Sequence, residues 1–203
     1  MRICKFMQLL IIIKFLILIY LIGGLMKTLL LGDSIFKWFS GTLPGDVENK
    51  SSVGCFSWMI ERDVEKYNIK DYDKVFLLIG INDFLNRGYT SKKTSECVIS
   101  VINKILSLNP QELNVLGLLP VLNDDMSESD YCNSNIPQIN SILRDYCLEN
   151  NVNFIDCYGQ FLDINGNINI SLYKSDGLHP NDKGYEKISR SIISCYQLDN
   201  YMN

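Results

Sequence analysis

The sequence predicts an α/β domain of three layers, α/β/α, built around a mostly parallel sheet of about five strands. Three observations predict it. Short apolar runs, too brief for helices, alternate with longer amphipathic stretches, as strands do when helical crossovers join them. The length of 203 residues suits about one domain and allows a proper core. The polar residues with most chemical potential fall just after the apolar runs. Those positions are the carboxyl ends of the expected strands, where open parallel sheets bind ligands.

The elements follow in order. Thr28–Leu31 is a first strand, apolar on both faces as a covered parallel strand must be. Val47–Lys50 makes a short second strand. Ser57–Tyr67 places Trp58, Ile60, Val64 and Tyr67 at helical spacing. Lys74–Ile79 (KVFLLI), stopped by Gly80, is the clearest central strand. Ser91–Leu108 is a helix with Val98, Ile102 and Ile105 on one face, and Pro110 lies just beyond its end. Asn114–Leu119 is the next strand, closed by Pro120. Ile136–Asn150 is a helix through Ile139, Ile142, Leu143 and Tyr146. Asn151–Asp156 is the last strand, and Asp182–Leu198 is the closing helix. The acidic stretch 123–130 (NDDMSESD) is read as a solvated loop, since it lacks the ligand spacing of a calcium loop.

Composition excludes several classes of function. A hydrophobic content of 47% with 21% charged residues and 5 prolines excludes overall disorder. Lys and Arg number 19 against 23 Asp and Glu, and Arg2, Lys5 and Lys14 all lie in the first 26 residues. The remaining body is acidic, which argues against nucleic acid as a partner, because phosphates need a basic face. One histidine, His179, nearly excludes a multi-histidine zinc site. The 7 cysteines form no Cys-x-x-Cys pair and read as free thiols.

The first 25 residues differ from the body. Residues 6–26 are an apolar run interrupted by Gln8 and Lys14, long enough to span a bilayer as a helix. Arg2 and Lys5 precede it, as in a signal peptide or an inside-facing anchor flank. The run leads into the first strand with no linker, which favours translation from Met26. Residues 1–25 are therefore taken as a separate segment (anchor, signal peptide or mis-assigned start) and 26–203 as the domain. Membrane contact is expected only through residues 6–26, and the compartment follows the true start: cytoplasmic from Met26, anchored or exported otherwise.

Three short segments carry candidate chemistry. Asp176-Gly177-Leu178-His179-Pro180 lies in a loop before the last helix, so its carboxylate can accept the imidazole N–H and fix the ring's tautomer. Gly32-Asp33-Ser34-Ile35 turns from the first strand into a helix, where Ser34 by itself reads first as a helix cap and only second as a nucleophile. Gly80-Ile81-Asn82-Asp83 follows the central strand, where an Asn amide can donate to a developing oxyanion or simply stabilise a turn. The Gly-x-Ser-x-Gly elbow, the dinucleotide and phosphate loops and His-Glu-x-x-His are absent.

With Asn49-Lys-Ser-Ser-Val-Gly54 as a further block, these segments in this order resemble the SGNH (GDSL-type) hydrolase family, and the resemblance spans residues 32–180. It implies a flavodoxin-like sheet and a serine hydrolase needing no metal or organic cofactor. Ser34 would be the nucleophile, His179 the base and Asp176 its orienting partner. The Ser34 and Gly54 backbone N–H groups and the Asn82 side chain would hold the oxyanion, with Asp33, Gly80 and Asp83 in support. Ile35 stands where Leu is usual. Ser51 replaces a glycine common in the second block, which leaves that loop's path open. Trp38 and Phe39 either line the leaving-group side or belong to the core.

The expected activity is hydrolysis of short acyl esters, such as acetyl, on a small molecule or a glycan. A lysophospholipase or thioesterase is the alternative among enzymes, and a silent anchored binding module the alternative outside them.

Overall fold

The computed structural model describes residues 26–122 and 126–198. Among these the order is β1 (Lys27–Gly32), α1 (Ser34–Lys37), β2 (Asp46–Asn49), α2 (Ser57–Asp63), β3 (Lys74–Leu78), α3 (Ile81–Arg87), α4 (Ser91–Ser107), β4 (Leu113–Leu116), α5 (Met126–Glu149), β5 (Asn153–Ile155) and α6 (Asp182–Leu198), with short 3₁₀ turns between. The five strands pair in parallel in the order β2-β1-β3-β4-β5. The chain moves outward from β1 to β2 and then returns to place β3 on the other side of β1. This reversal opens a crevice at the carboxyl ends of β1 and β3.

Burial follows composition. Every residue of β3 is buried, and β1 is buried from Thr28 onward, because helices cover both faces. Tyr196 of α6 covers one face, stacking on Phe76 at 6.0 Å and sharing a 2.6 Å hydrogen bond with the Thr28 hydroxyl. Strand side chains alternate between faces. Right-handed crossovers accordingly send α2, α4 and α5 to the other face, where α4 packs against both α2 and α5. The edge strand β2 is exposed throughout.

The structure departs from the sequence expectations at several places, among them β5, which keeps only Asn153–Ile155 of the expected Asn151–Asp156. Helix α5 begins ten residues earlier than Ile136, taking in most of the acidic stretch expected as a loop; residues 123–125 lie outside the described residues. Pro137 sits inside this helix and cannot donate to the Asn133 carbonyl. The Tyr158 hydroxyl donates to that carbonyl instead, at 3.4 Å. Helix α3 follows β3 where the sequence reading placed no helix. Its seven residues are too short to show a period, and Gly80 (φ 123°) and Gly88 (φ 60°) bound it. The helix expected over Ser57–Tyr67 tightens to 3₁₀ after Asp63. Strand β4 stops at Leu116, three residues short of the apolar run.

The expectations for residues 1–25 lie outside the described residues. Among those described, no helix is long and apolar enough to cross a membrane.

Candidate active site

Strand β1 ends at Gly32, where nothing larger fits. A Cβ at that position would meet the Leu78 carbonyl oxygen of β3 at 2.3 Å. The chain then turns through Asp33 into α1. Asp33 is the N-cap, its carboxylate accepting from the Ile35 N–H at 2.9 Å, so Ser34 is the first helical residue rather than the cap. A first helical residue has no intrahelical partner for its N–H, and that of Ser34 has none among the described residues.

The Ser34 hydroxyl lies 2.8 Å from Nε2 of His179, and Nδ1 of His179 lies 2.7 Å from the Asp176 carboxylate. A carboxylate only accepts, so Nδ1 carries the ring proton and Nε2 accepts from Ser34. The same carboxylate accepts from the backbone N–H groups of Leu178 and His179 at 3.0 and 2.9 Å. Partial burial pushes the Asp176 carboxyl up. The hydrogen bonds from His179 and Leu178 outweigh that and leave its pKa below the ordinary value. A hydroxyl, an imidazole and a fixed carboxylate in series can pass the hydroxyl proton to the ring as the oxygen attacks.

The other predicted residues sit around the same sheet edge. Asn82 lies in the first turn of α3, one strand over from Ser34. One amide hydrogen goes to the Cys55 carbonyl at 2.9 Å, and its oxygen accepts from Asn86 at 2.9 Å. The second amide hydrogen has no partner among the described residues. Gly54 adopts φ +69°, and its N–H is likewise unpartnered there. Asn49 ties this loop to α1, donating to the Phe36 carbonyl at 2.6 Å and accepting from the Ser51 N–H at 3.0 Å. Ser51 fits the position that a glycine often fills, buried and without a positive φ.

Asp83 is buried and accepts from both the N–H and the hydroxyl of Ser57, at 2.9 and 2.8 Å, fixing the start of α2. Trp38 is 43% exposed and packs edge-on against the His179 ring at 4.5 Å. Phe39 turns inward against Phe36 and Tyr185. Of the two aromatic residues, therefore, only Trp38 stands at the site.

Sequence reasoning missed Asn86, which sets the Asn82 amide. Its i+4 spacing would have revealed it had α3 been recognised. It also missed Asn181, whose side chain donates to the Ser171 and Tyr173 carbonyls and braces the His179 loop. A cleft of about 560 Å³ borders the site, lined by Phe84, Asn86, Val121, Tyr131, Asp176 and Leu178 among others. Among the described residues, no three His, Cys, Asp or Glu side chains converge to hold a metal ion.

A family model described as GDSL-like lipase/acylhydrolase matches residues 37–187. The chain belongs to this family. The matched stretch includes the Asn49–Gly54, Gly80–Asp83 and Asp176–Pro180 segments and starts three residues after Ser34. As a GDSL acylhydrolase the protein is a serine hydrolase acting on ester bonds.

A curated relative, the N-acylneuraminate cytidylyltransferase of Streptococcus agalactiae, is 28% identical over 151 residues, which are 74% of this chain and 34% of that protein. The chain thus spans about a third of the relative's length. A GDSL-like lipase from Bacteroides thetaiotaomicron shares the fold with a TM-score of 0.70 at 16% identity, covering 87% of this chain and 89% of that one. An acetyl-xylooligosaccharide esterase from Geobacillus, in a mutant form, does so with a TM-score of 0.67 at 18% identity, covering 85% and 94%. At these identities the two structures speak for the fold alone.

The acylhydrolase carries a buried acid directly beside Ser34. Burial pushes the Asp33 carboxyl up to about 7; the Ile35 N–H opposes this and the Asp83 charge adds to it. Among the described residues, one Asp33 oxygen and the buried Tyr185 hydroxyl have no hydrogen-bond partner. The folded state therefore holds the Asp33 proton up to about pH 7, whereas the unfolded chain releases it near 3.8. The folded state binds more protons across that window, so stability falls as pH rises through it and levels off above. Between pH 5 and 8 the loss is expected to be roughly 2–3 kcal/mol. Asp33→Asn stays neutral and should flatten this part of the profile, read as the difference in Tm between the two pH values. An unchanged slope in the variant would remove Asp33 as its source.

Proposed function

We propose that this acylhydrolase cleaves short acyl esters, acetyl above all, from a carbohydrate, through an acyl-enzyme on Ser34. The observation that carries the proposal is the continuous relay Ser34–His179–Asp176 at the crevice between β1 and β3. His179 takes the Ser34 proton as Oγ attacks the ester carbonyl. Asp176 supports the charge that forms on the ring. The Ser34 and Gly54 N–H groups and the free hydrogen of Asn82 receive the oxyanion. His179 then gives its proton to the departing alcohol. Water, deprotonated by the same ring, attacks the acyl-enzyme and releases the acid.

Two observations support a sugar as the alcohol. Trp38 stands exposed beside His179, an amphipathic ring where the leaving group departs. The curated relative is named for N-acylneuraminate, an acidic sugar with several hydroxyls that acetyl groups can esterify. A second reading has its own support: the cleft beside Asp176 has a mixed lining that includes Phe84, Leu85, Val121 and Leu122, and those apolar side chains would accept a longer acyl chain, as in a thioesterase or lysophospholipase.

Nitrophenyl esters from acetyl to long chains separate the two. A kcat/KM that peaks at acetyl and falls at least tenfold by octanoyl is expected, since filling the cleft would reward each added methylene instead. A peak at six carbons or more would move the assignment to the second reading.

A further inference from the structure

A cation stands beside the reacting histidine with no ion pair among the described residues. Lys174 Nζ lies over the Trp38 ring, 5.2 Å from its centroid, and that ring packs against His179 at 4.5 Å. Both residues are anchored by the backbone of the site itself. The Lys174 N–H donates to the His179 carbonyl at 2.8 Å, next to the antiparallel bridge between Tyr173 and Pro180. The Trp38 N–H donates to the Ser34 carbonyl at 3.1 Å. Lysine and tryptophan are thus tied to the base and the nucleophile respectively, and they meet over the mouth.

Among the described residues Lys174 forms no ion pair. The nearest carboxylate along the chain, Asp176, is engaged by the His179 ring and two backbone N–H groups. The indole face holds the ammonium in place by cation–π attraction but does not neutralise it. It also leaves that face of Trp38 covered, so the pair offers a charged tip on an aromatic base rather than a bare stacking platform. An ammonium with no ion pair among the described residues attracts an anion to this side of the site.

We propose that Lys174, braced on Trp38, selects esters whose alcohol part is a sugar acid, by pairing with its carboxylate while the ester carbonyl lies at Ser34. This rests on the esterase reading above and names the chemistry of its alcohol. A carboxylate a few ångströms from this exposed ammonium gains a charge-assisted hydrogen bond that its methyl ester cannot make.

The test compares O-acetyl N-acetylneuraminate with its carboxyl methyl ester, two substrates with the same acyl group and differing in one charge. The wild-type protein is expected to favour the acid by about tenfold in kcat/KM at low salt, mainly through KM. That preference should shrink as salt rises from about 0.01 to 1 M, because the Debye length contracts. Lys174→Met should bring the ratio close to one, and Lys174→Arg should keep part of it. Lys92→Met, on α4, should leave the ratio as it is.

No preference in the wild-type protein would overturn the proposal, and so would a Lys174→Met variant that slows both esters equally. Hydrolysis of nitrophenyl acetate is measured alongside. If it proceeds while the acid is not preferred, Lys174 has no such role and the esterase reading stands. If no ester is cleaved by folded protein, the esterase reading fails, and this proposal with it.

Discussion

Ser34→Ala is expected to lower kcat on a short nitrophenyl ester by about 10⁵- to 10⁶-fold, the size of loss seen when a nucleophile that acts as a unit with its base is removed. The fold should barely notice. The helix after β1 is capped by Asp33, not by Ser34, and among the described residues the lost hydroxyl bonds only His179. The change in unfolding free energy is expected within about 0.5–1 kcal/mol, the net worth of one such hydrogen bond. Turnover and Tm measured on the same preparation check both halves. A fluorophosphonate label that attaches to wild type and not to the variant gives a third readout. Activity in the variant within tenfold of wild type, on a folded protein, would remove Ser34 from the chemistry.

Gly177→Ala should damage stability and turnover together. Gly177 lies between Asp176 and His179 with φ +66°, a conformation that costs an alanine roughly 1 kcal/mol or more. The steric problem is larger. An added Cβ would sit 2.2 Å from the Leu122 carbonyl oxygen, and backbone oxygen cannot swing aside as a side chain can. The same Gly177 accepts from the Leu122 N–H at 2.8 Å, so the loop is fastened to the segment that leaves β4. Relief requires the loop to move away, carrying Asp176 and His179 with it. A destabilisation of roughly 3 kcal/mol is expected. A displacement of about 1 Å at the base should cost on the order of 100-fold in kcat. A variant with wild-type kcat and Tm would show that the loop has slack that the Leu122 contact denies.

These two cases show how differently residues could be read from the sequence. Ser34, Asn82 and His179 were legible because their types are scarce or their neighbours distinctive, and because each follows an apolar run in a fixed order. The role of Asp33 was not. Its type suggested only support, and what separates it from an ordinary surface carboxylate is complete burial near Asp83 and Tyr185, residues 50 and 152 positions away. Asn86 was hidden because α3 is too short for a hydrophobic period to emerge. The start of α5 was hidden because Pro137 and a polar first half mask a helix whose missing bond is repaired by Tyr158. Trp38 and Phe39 are neighbours of the same class, and only packing separated them: one meets His179 in the open and the other fills the space between Phe36 and Tyr185.

By itself the sequence determined the α/β class, the strands and main helices, and where candidate polar side chains follow the strands. Those are local properties, set by periodicity and by residue type at the end of each strand. The tertiary structure decided the rest. It put β3 beside β1, so that segments beginning at residues 32, 80 and 176 share one edge. It brought Ser34 to His179 across 145 positions of chain. It stood Lys174 over Trp38. Each of these depends on packing between residues far apart in sequence, where no local pattern records which neighbour will fill the space.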